Sequence, residues 1–296
     1  RFSMKQPTKK SVKGYLYLLI TFTLWGSLYV VSKYVLGKLP TFTISFFRFL
    51  LAFLFLAILT PKPSQKLARE HIPYIICIGF TGYFISVGAQ LLGTKYAGAS
   101  MASLLNSMNP VTMTLFGAWI LHEKLTVKKI IGILLAVFGV YVILGENARD
   151  AGLAGIVLSL FSVVVWSFIS VLARKVTMQY NPLYITRLAC GIAAVCYLPI
   201  AAFEAFTVQN SVASILLHDS SCLFSLLYMG IICTGIAYFL WNKSLSVLDA
   251  GTCSAFYPIQ PMISTLLGVF LLGEQITWNF GLGALLIVSG VLISLQ

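Results

Sequence analysis

Ten runs of about twenty apolar residues, set end to end with little between them, constrain this chain more than any other feature. They fall at roughly 15–36, 41–60, 72–93, 97–121, 127–144, 152–173, 182–203, 222–242, 250–272 and 277–295. A helix needs about 20 residues to cross a hydrocarbon core roughly 30 Å thick. Inside lipid only a helix or a closed barrel satisfies its own backbone. The runs are unbroken rather than alternating, which favours helices over barrel strands. Connections are short and carry turn chemistry: Leu39-Pro40, Pro61-Lys62-Pro63, Gly145-Glu146-Asn147 and Asn181-Pro182. The longest, about 204–221, has a few polar residues and suits a short helix or a loop. Only 9% of the 296 residues are charged, against about a quarter in soluble chains. The expected fold is an all-α polytopic membrane protein of ten transmembrane helices.

The formal charge of +12 then needs no nucleic acid. With the N-terminus inside, fourteen Lys and Arg fall in cytoplasmic segments, among them Lys5, Lys9, Lys10, Lys62, Lys128 and Lys243. Four fall outside: Lys33, Lys38, Lys95 and Arg149. That bias predicts both termini in the cytoplasm of a cell (inner) membrane protein. The basic start before the first run resembles a signal peptide. The run is too long, however, it lacks a small-residue cleavage site, and nine more spans follow, so it reads as a retained first span. The six cysteines show no CxxC or Cys/His cluster and are expected to be reduced packing residues.

The sequence repeats itself internally. Shifted by 151, residues 99–144 lie on 250–295 without a gap, with 16 identities in 46 positions. Pro110 meets Pro261, Glu123 meets Glu274, Thr126 meets Thr277, and Gly117, Gly132 and Gly139 meet Gly268, Gly283 and Gly290. Earlier in each half, Trp25 matches Trp166 at an offset of 141 and Arg48 matches Arg187 at 139. The chain therefore reads as two five-span halves, 14–144 and 152–295. Five is odd, so the second half must enter the membrane from the opposite side. That is an inverted-topology repeat, whose substrate site is expected near the midplane between the halves.

These residues carry a resemblance. Trp25 and Trp166 in the first span of each half, Arg48 and Arg187 in the second, and the duplicated stretch from Asn109-Pro110 through Glu123 to Gly139-Val140 and from Gln260-Pro261 through Glu274 to Gly290-Val291 resemble the drug/metabolite transporter superfamily, in its ten-helix EamA type. The resemblance covers the whole chain. It implies a basket of helices with a central cavity, and transport of small organic solutes, often amino acids or other metabolites outward.

Span 1 carries Thr21, Trp25, Tyr29 and Lys33 at four-residue spacing, and span 6 carries Ser162, Trp166, Ser170 and Arg174. Each set is one helical stripe of hydroxyl, indole, hydroxyl and cation. The stripes either line the cavity or pack, with Lys33 and Arg174 as interfacial anchors. Tyr83, Ser86, Gln90 and Thr94 in span 3, against Thr234, Tyr238, Trp241 and Asn242 in span 8, form a polar seam. It fits an aqueous cavity or interhelix hydrogen bonding. Pro110, Pro258 and Pro261 are expected to act as mid-helix hinges. They would free the carbonyls of Asn106, Ser254 and Tyr257 beside Asn106, Asn109, Tyr257 and Gln260. Arg48 and Arg187 could meet a solute carboxylate, or pair with carbonyls at helix ends. Glu123 and Glu274 are expected to cap the helices that start at Thr126 and Thr277.

No Asp or Glu lies mid-span, and His71, His122 and His218 sit near the ends of runs. No catalytic cluster, metal site or cofactor-binding loop is visible. The expectation is a carrier that binds a small polar or zwitterionic, amino-acid-like solute by alternating access, export over uptake. A carrier for a quaternary-ammonium or aromatic cation is the alternative, since Trp25, Trp166, Tyr238, Trp241 and Tyr257 could form a cage. A lipid scramblase or non-transporting membrane subunit is the alternative of another class. The expected partners are a small-molecule solute and the bilayer. Gly132, Ala136 and Gly139, with Gly283 and Gly290, could pack internally or against a second copy, giving a monomer or weak homodimer.

Overall fold

The computed structural model describes residues 12–36, 38–60, 67–144, 152–207, 212–272 and 278–294. Among them the helices run α1 (Val12–Leu36), α2 (Thr41–Leu59), α3 (Ile72–Cys77), α4 (Val87–Asn106), α5 (Asn109–Leu121), α6 (Val127–Leu144) and α7 (Leu153–Thr177). They continue as α8 (Pro182–Thr207), α9 (Val212–His218), α10 (Ser220–Leu227), α11 (Ala237–Leu245), α12 (Ala250–Ser254), α13 (Ile259–Leu272) and α14 (Trp278–Ser294). Two π-helices, Ile78–Ser86 and Tyr228–Ile236, join α3 to α4 and α10 to α11. Among the described residues six continuous helical stretches are long and apolar enough to cross a membrane, so this is a multi-pass membrane protein. Its surface fits: Trp119, Phe203, Phe206 and Val195 are exposed, while Thr186, Ser167, Asn242 and Arg48 are buried.

Packing pairs the elements reciprocally. α1 lies against α11 and α13, and α7 against α4 and α5; α2 packs on α8, and α6 on α14. The α6–α14 crossing is made possible by glycine. A Cβ on Gly132 would lie 2.5 Å from the Gly290 carbonyl oxygen, and one on Gly139 would lie 2.7 Å from that of Gly283. The small-residue seam is thus used inside the chain, where close backbone approach takes the place of hydrophobic driving force.

Local chemistry explains the helix ends. α2 starts after Pro40, and Glu204 at the far end of α8 accepts from the Phe42 and Thr43 amides at 3.2 and 2.7 Å. A carboxylate there satisfies orphan N–H groups and complements the helix dipole. Thr126 accepts from the Lys129 amide at 3.2 Å and so caps α6 with its own side chain. The connection near 204–221 contains α9, and α8 continues to Thr207.

Two expectations change. The break between the third and fourth apolar runs is not near 94–96; α4 continues through it to Asn106, and the chain turns at Ser107–Met108. Thr94 and Lys95 look like a polar connection, but the Thr94 hydroxyl donates to the Gln90 carbonyl at 2.9 Å and stays within the helix. The prolines, too, are not mid-helix hinges. Pro110 and Pro261 sit in the first turns of α5 and α13, where a missing N–H costs nothing, and Pro258 lies in the turn before α13. The carbonyls they were expected to free are occupied. The Asn109 side chain donates to that of Asn106 at 2.7 Å, the Tyr257 amide to that of Ser254, and the Gln260 amide to that of Tyr257, both at 3.0 Å.

Candidate functional site

Where α1, α4, α7 and the π-helical segments converge, their side chains enclose a cavity of about 90 Å³. By that measure it holds roughly six to nine waters. Nine of the expected residues line it: Trp25, Gln90, Asn106, Asn109, Ser162, Trp166, Tyr238, Tyr257 and Gln260. The wall is completed by Leu28, Ser32, Leu36, Ile44, Arg48, Ser86, Val87, Leu91, Thr94 and Met229.

Its base is aromatic. Trp25 and Trp166 meet edge to face with centroids 6.1 Å apart, and Tyr238 lies 5.5 and 5.7 Å from them. The two indoles are therefore one continuous floor rather than opposing walls. Each indole N–H is held. Trp25 donates to the Cys233 carbonyl at 3.2 Å, and Trp166 donates to the Tyr257 hydroxyl. Cys233 belongs to the π-helix 228–236, whose looser backbone leaves carbonyls within reach of side-chain donors. The other π-helix does the same for Tyr197, whose hydroxyl donates to the Phe84 carbonyl at 2.8 Å. Paired π-helices were not foreseen from sequence. Such segments concentrate at functional sites, and the one available signal is the glycine pair Gly79 and Gly230 at the 151 offset.

Other expected residues are structural. Thr21 donates to the Tyr17 carbonyl, Ser170 is buried, and Trp241 is packed against Phe22 and Trp25. Tyr83 stacks on Phe49 and accepts from the Asn242 amide at 2.9 Å. Ser162 and Ser86 exchange bonds with each other's carbonyls at 2.8 and 3.0 Å, knitting α7 to the first π-helix while lining the cavity. The side chains of Tyr29 and Lys33, and Glu274, lie outside the described residues.

Apart from the cavity lining, charged groups tie α7 to α11 and α12. Arg174 donates to Glu123 at 2.8 Å and to the carbonyls of Leu245 and Leu248, so it is neither cavity wall nor interfacial anchor. Glu123 does not cap α6. His122 at φ 55° turns the chain so that the carboxylate crosses to α12 and accepts from the Ala250 amide at 2.9 Å. Lys129 pairs with Asp249, which caps α12 through the Thr252 amide at 2.7 Å. Burial pushes the Glu123 carboxyl above its ordinary range, offset only in part by Arg174. Burial acts on Asp249 too, but there Lys129 and the Thr252 bonds outweigh it and hold the carboxyl below its usual value.

Apolar residues lie exposed on the outside and a polar and aromatic cavity lies within, as in a multi-pass membrane protein. The chain belongs to the EamA-like transporter family, whose profile matches residues 12–145 and again 153–296. It is similar to the uncharacterized transporter YetK of Bacillus subtilis (strain 168), 27% identical over 97% of this chain and 88% of that one. It is also similar to a probable amino-acid metabolite efflux pump of Salmonella typhimurium, 28% identical over 95% and 94%. A counterpart in Escherichia coli (strain K12) bearing the same name is 24% identical over 95% and 94%. A crystal structure of a protein 21% identical covers 96% of both chains with a TM-score of 0.77, so the two share a fold.

Proposed function

We propose that this protein is a cytoplasmic-membrane carrier that exports a small polar or zwitterionic, amino-acid-like metabolite by alternating access. Its two five-helix halves, 14–144 and 152–295, are related by a pseudo-twofold axis in the membrane plane, and both termini are cytoplasmic. The observation that carries the reading is the central cavity, to which both halves contribute repeat mates: Trp25 with Trp166, Asn106 with Tyr257, and Asn109 with Gln260. Reciprocal packing supports the axis, since α1 on α11 and α13 is the mirror of α7 on α4 and α5. The family and the names of the Salmonella and Escherichia relatives support an amino-acid-like solute and the outward direction.

In this orientation the cavity opens toward the outer ends of α1 and α2, where Leu36 and Ile44 lie, and the Arg174–Glu123 knot seals the cytoplasmic side. The carrier works as a monomer, since the α6–α14 seam is spent internally. The aromatic floor alone would also suit a quaternary-ammonium solute, but Arg48 on the same wall repels a cation.

The test is transport and solute-induced thermal stabilisation across a metabolite panel. Trp166→Ala lowers both strongly while the protein still inserts, Trp166→Phe lowers them less, and Lys33→Ala less again. Unchanged transport in Trp166→Ala would overturn the site. Cysteines at positions 64 and 148 report orientation; label at 64 only from inside and at 148 only from outside is expected, and the reverse would invert the topology.

A further inference from the structure

Arg48 is buried to 4% exposure on the cavity wall, in the second turn of α2. Its Nε donates to the Thr234 hydroxyl at 3.2 Å, and that hydroxyl passes its own hydrogen to the Met229 carbonyl at 2.7 Å, five residues back in the π-helix. The side chain is thereby fixed by its inner nitrogen. Among the described residues its two terminal nitrogens meet no acceptor within hydrogen-bond distance, and no carboxylate pairs with it.

The described carboxylates nearest in role are committed elsewhere. Glu123 serves Arg174, Asp249 serves Lys129, Asp219 serves Lys38, and Glu204 caps α2. The contrast with the other two arginines in the bundle is plain. Arg174 is neutralised by a carboxylate and two carbonyls, and Arg187 lies 5.1 Å over the Tyr184 ring, away from the cavity lining. Among the described residues Arg48 alone offers a planar donor fork to the cavity. A guanidinium in the membrane interior is costly unless something meets it, and its paired N–H groups match the two oxygens of a carboxylate.

Resting on the reading of this cavity as the solute site, we infer that Arg48 is the carboxylate anchor of the carrier and that the transported solute bears a carboxylate. The remainder of the solute is met by neutral groups. The Gln90 and Gln260 side-chain amides line the same cavity and make no hydrogen bond among the described residues, so their carbonyl oxygens can accept from an ammonium or hydroxyl. Trp25 and Trp166 supply an apolar face that also tolerates an ammonium. Among the described residues no acidic side chain lines the cavity. The site therefore takes a monoanion or a zwitterion and rejects a solute whose only charge is positive.

The experiment uses the full chain, purified, with thermal stabilisation and proteoliposome counterflow as readouts. The probes are the twenty amino acids with benzoate and lactate, each hit being set against its primary amide and its decarboxylated amine. In wild type the carboxylate form binds, and the amide and the amine bind about 10- to 100-fold more weakly, the span expected for hydrogen bonds to a charged partner. Arg48→Gln removes that preference, so that carboxylate and amide bind alike. Arg48→Lys folds with the charge in place and keeps the preference at reduced affinity. Trp166→Ala weakens carboxylate and amide together and leaves their ratio unchanged.

Three results would overturn the inference. The first is a panel in which no carboxylate binds wild type. The second is equal binding of carboxylate and amide by wild type, or a preference that survives in Arg48→Gln; if Trp166→Ala still weakens binding, the central site stands and only the role of Arg48 falls. The third is binding unaffected by either Arg48→Gln or Trp166→Ala, which removes the central cavity as the solute site and the anchor with it.

Discussion

The junction between the third and fourth apolar runs falls at equivalent places in the two repeats, yet it folds differently in each. In the second half the helix stops at Leu245, the chain turns, and α12 restarts under Asp249, which accepts from the Thr252 amide at 2.7 Å and hydroxyl at 2.6 Å. The 151 offset puts Gly98 at that place in the first half, and there α4 runs on to Asn106. Glycine offers the amides of a new helix no side-chain acceptor, so the bonds that Asp249 makes to Thr252 have no counterpart there. Lys129, the partner of Asp249, is matched by Phe280. The asymmetry is thus concentrated at one end of the molecule, in residues of which the other half has no copy. The aromatic centre stays symmetric, with Trp25 and Trp166 both on the cavity.

The largest effect should come from Arg174→Ala. Both partners of the Arg174–Glu123 pair are nearly buried, with side chains 6% and 11% exposed, and breaking such a pair costs about 3–5 kcal/mol because the surviving charge is left uncompensated. A Tm in detergent lowered by much less would mean that the knot is wetter than its packing implies.

Asp249→Gly makes the second half copy the first. It exchanges the aspartate cap for a glycine at a cost of roughly 0.3 kcal/mol and removes a Lys129 pair whose aspartate is one-third exposed, which adds up to about 1 kcal/mol. Amide exchange should rise across 250–253, and solute should reach the cavity from the side this end faces. Unchanged exchange there would show that the cap does not decide the break. Gly98→Asp is the reverse substitution and costs little by propensity, since glycine and aspartate are both weak helix formers within roughly 0.3 kcal/mol of each other; what it adds is a side chain able to cap a new helix. It should raise exchange locally around 94–101, and a silent result would place the cause of the asymmetry elsewhere.

The smallest effect is in pH. Glu123 has its carboxyl raised in the folded state, so its contribution to stability is full below the ordinary glutamate range and is lost as pH rises through the raised value. The Tm difference between wild type and Glu123→Gln should therefore shrink from mildly acidic pH toward neutrality. Asp249 is lowered, so its contribution holds at neutral pH and is lost only as pH falls below the ordinary aspartate range. The difference between wild type and Asp249→Asn should stay flat over the interval in which the first one moves. Slopes of the same sign in both would contradict the contrast.

Much of this was legible because lipid makes apolar length and periodicity informative. The α-class, the multi-pass character and the family followed from run length, from Trp25 and Trp166, and from the duplicated proline-to-glycine stretch. Cavity residues were legible where a polar or indole side chain sat on a stripe, as with Gln90 and Ser162. Tertiary partners were not. Glu123 precedes Thr126 as a capping residue would, and only the left-handed turn at His122 sends it to α12 instead. Tyr83 and Gln90 belong to the same seam, but Asn242 claims the hydroxyl of one and nothing described claims the amide of the other. Arg48 and Arg187 are indistinguishable by their placement in the repeat; their separation depends on tertiary neighbours, Arg48 on the cavity wall and Arg187 over the Tyr184 ring.

The most direct test of alternating access through one central cavity is the exposure of Gln90→Cys. It would be introduced into a chain whose six cysteines are replaced, then reacted with a membrane-impermeant thiol reagent in right-side-out and inside-out vesicles. Labelling from both sides is expected, slowed from both sides by bound solute, and confined to the outer side when the Arg174–Glu123 end is held closed. Labelling from one side alone under conditions of transport, or labelling indifferent to solute on both sides, would contradict it.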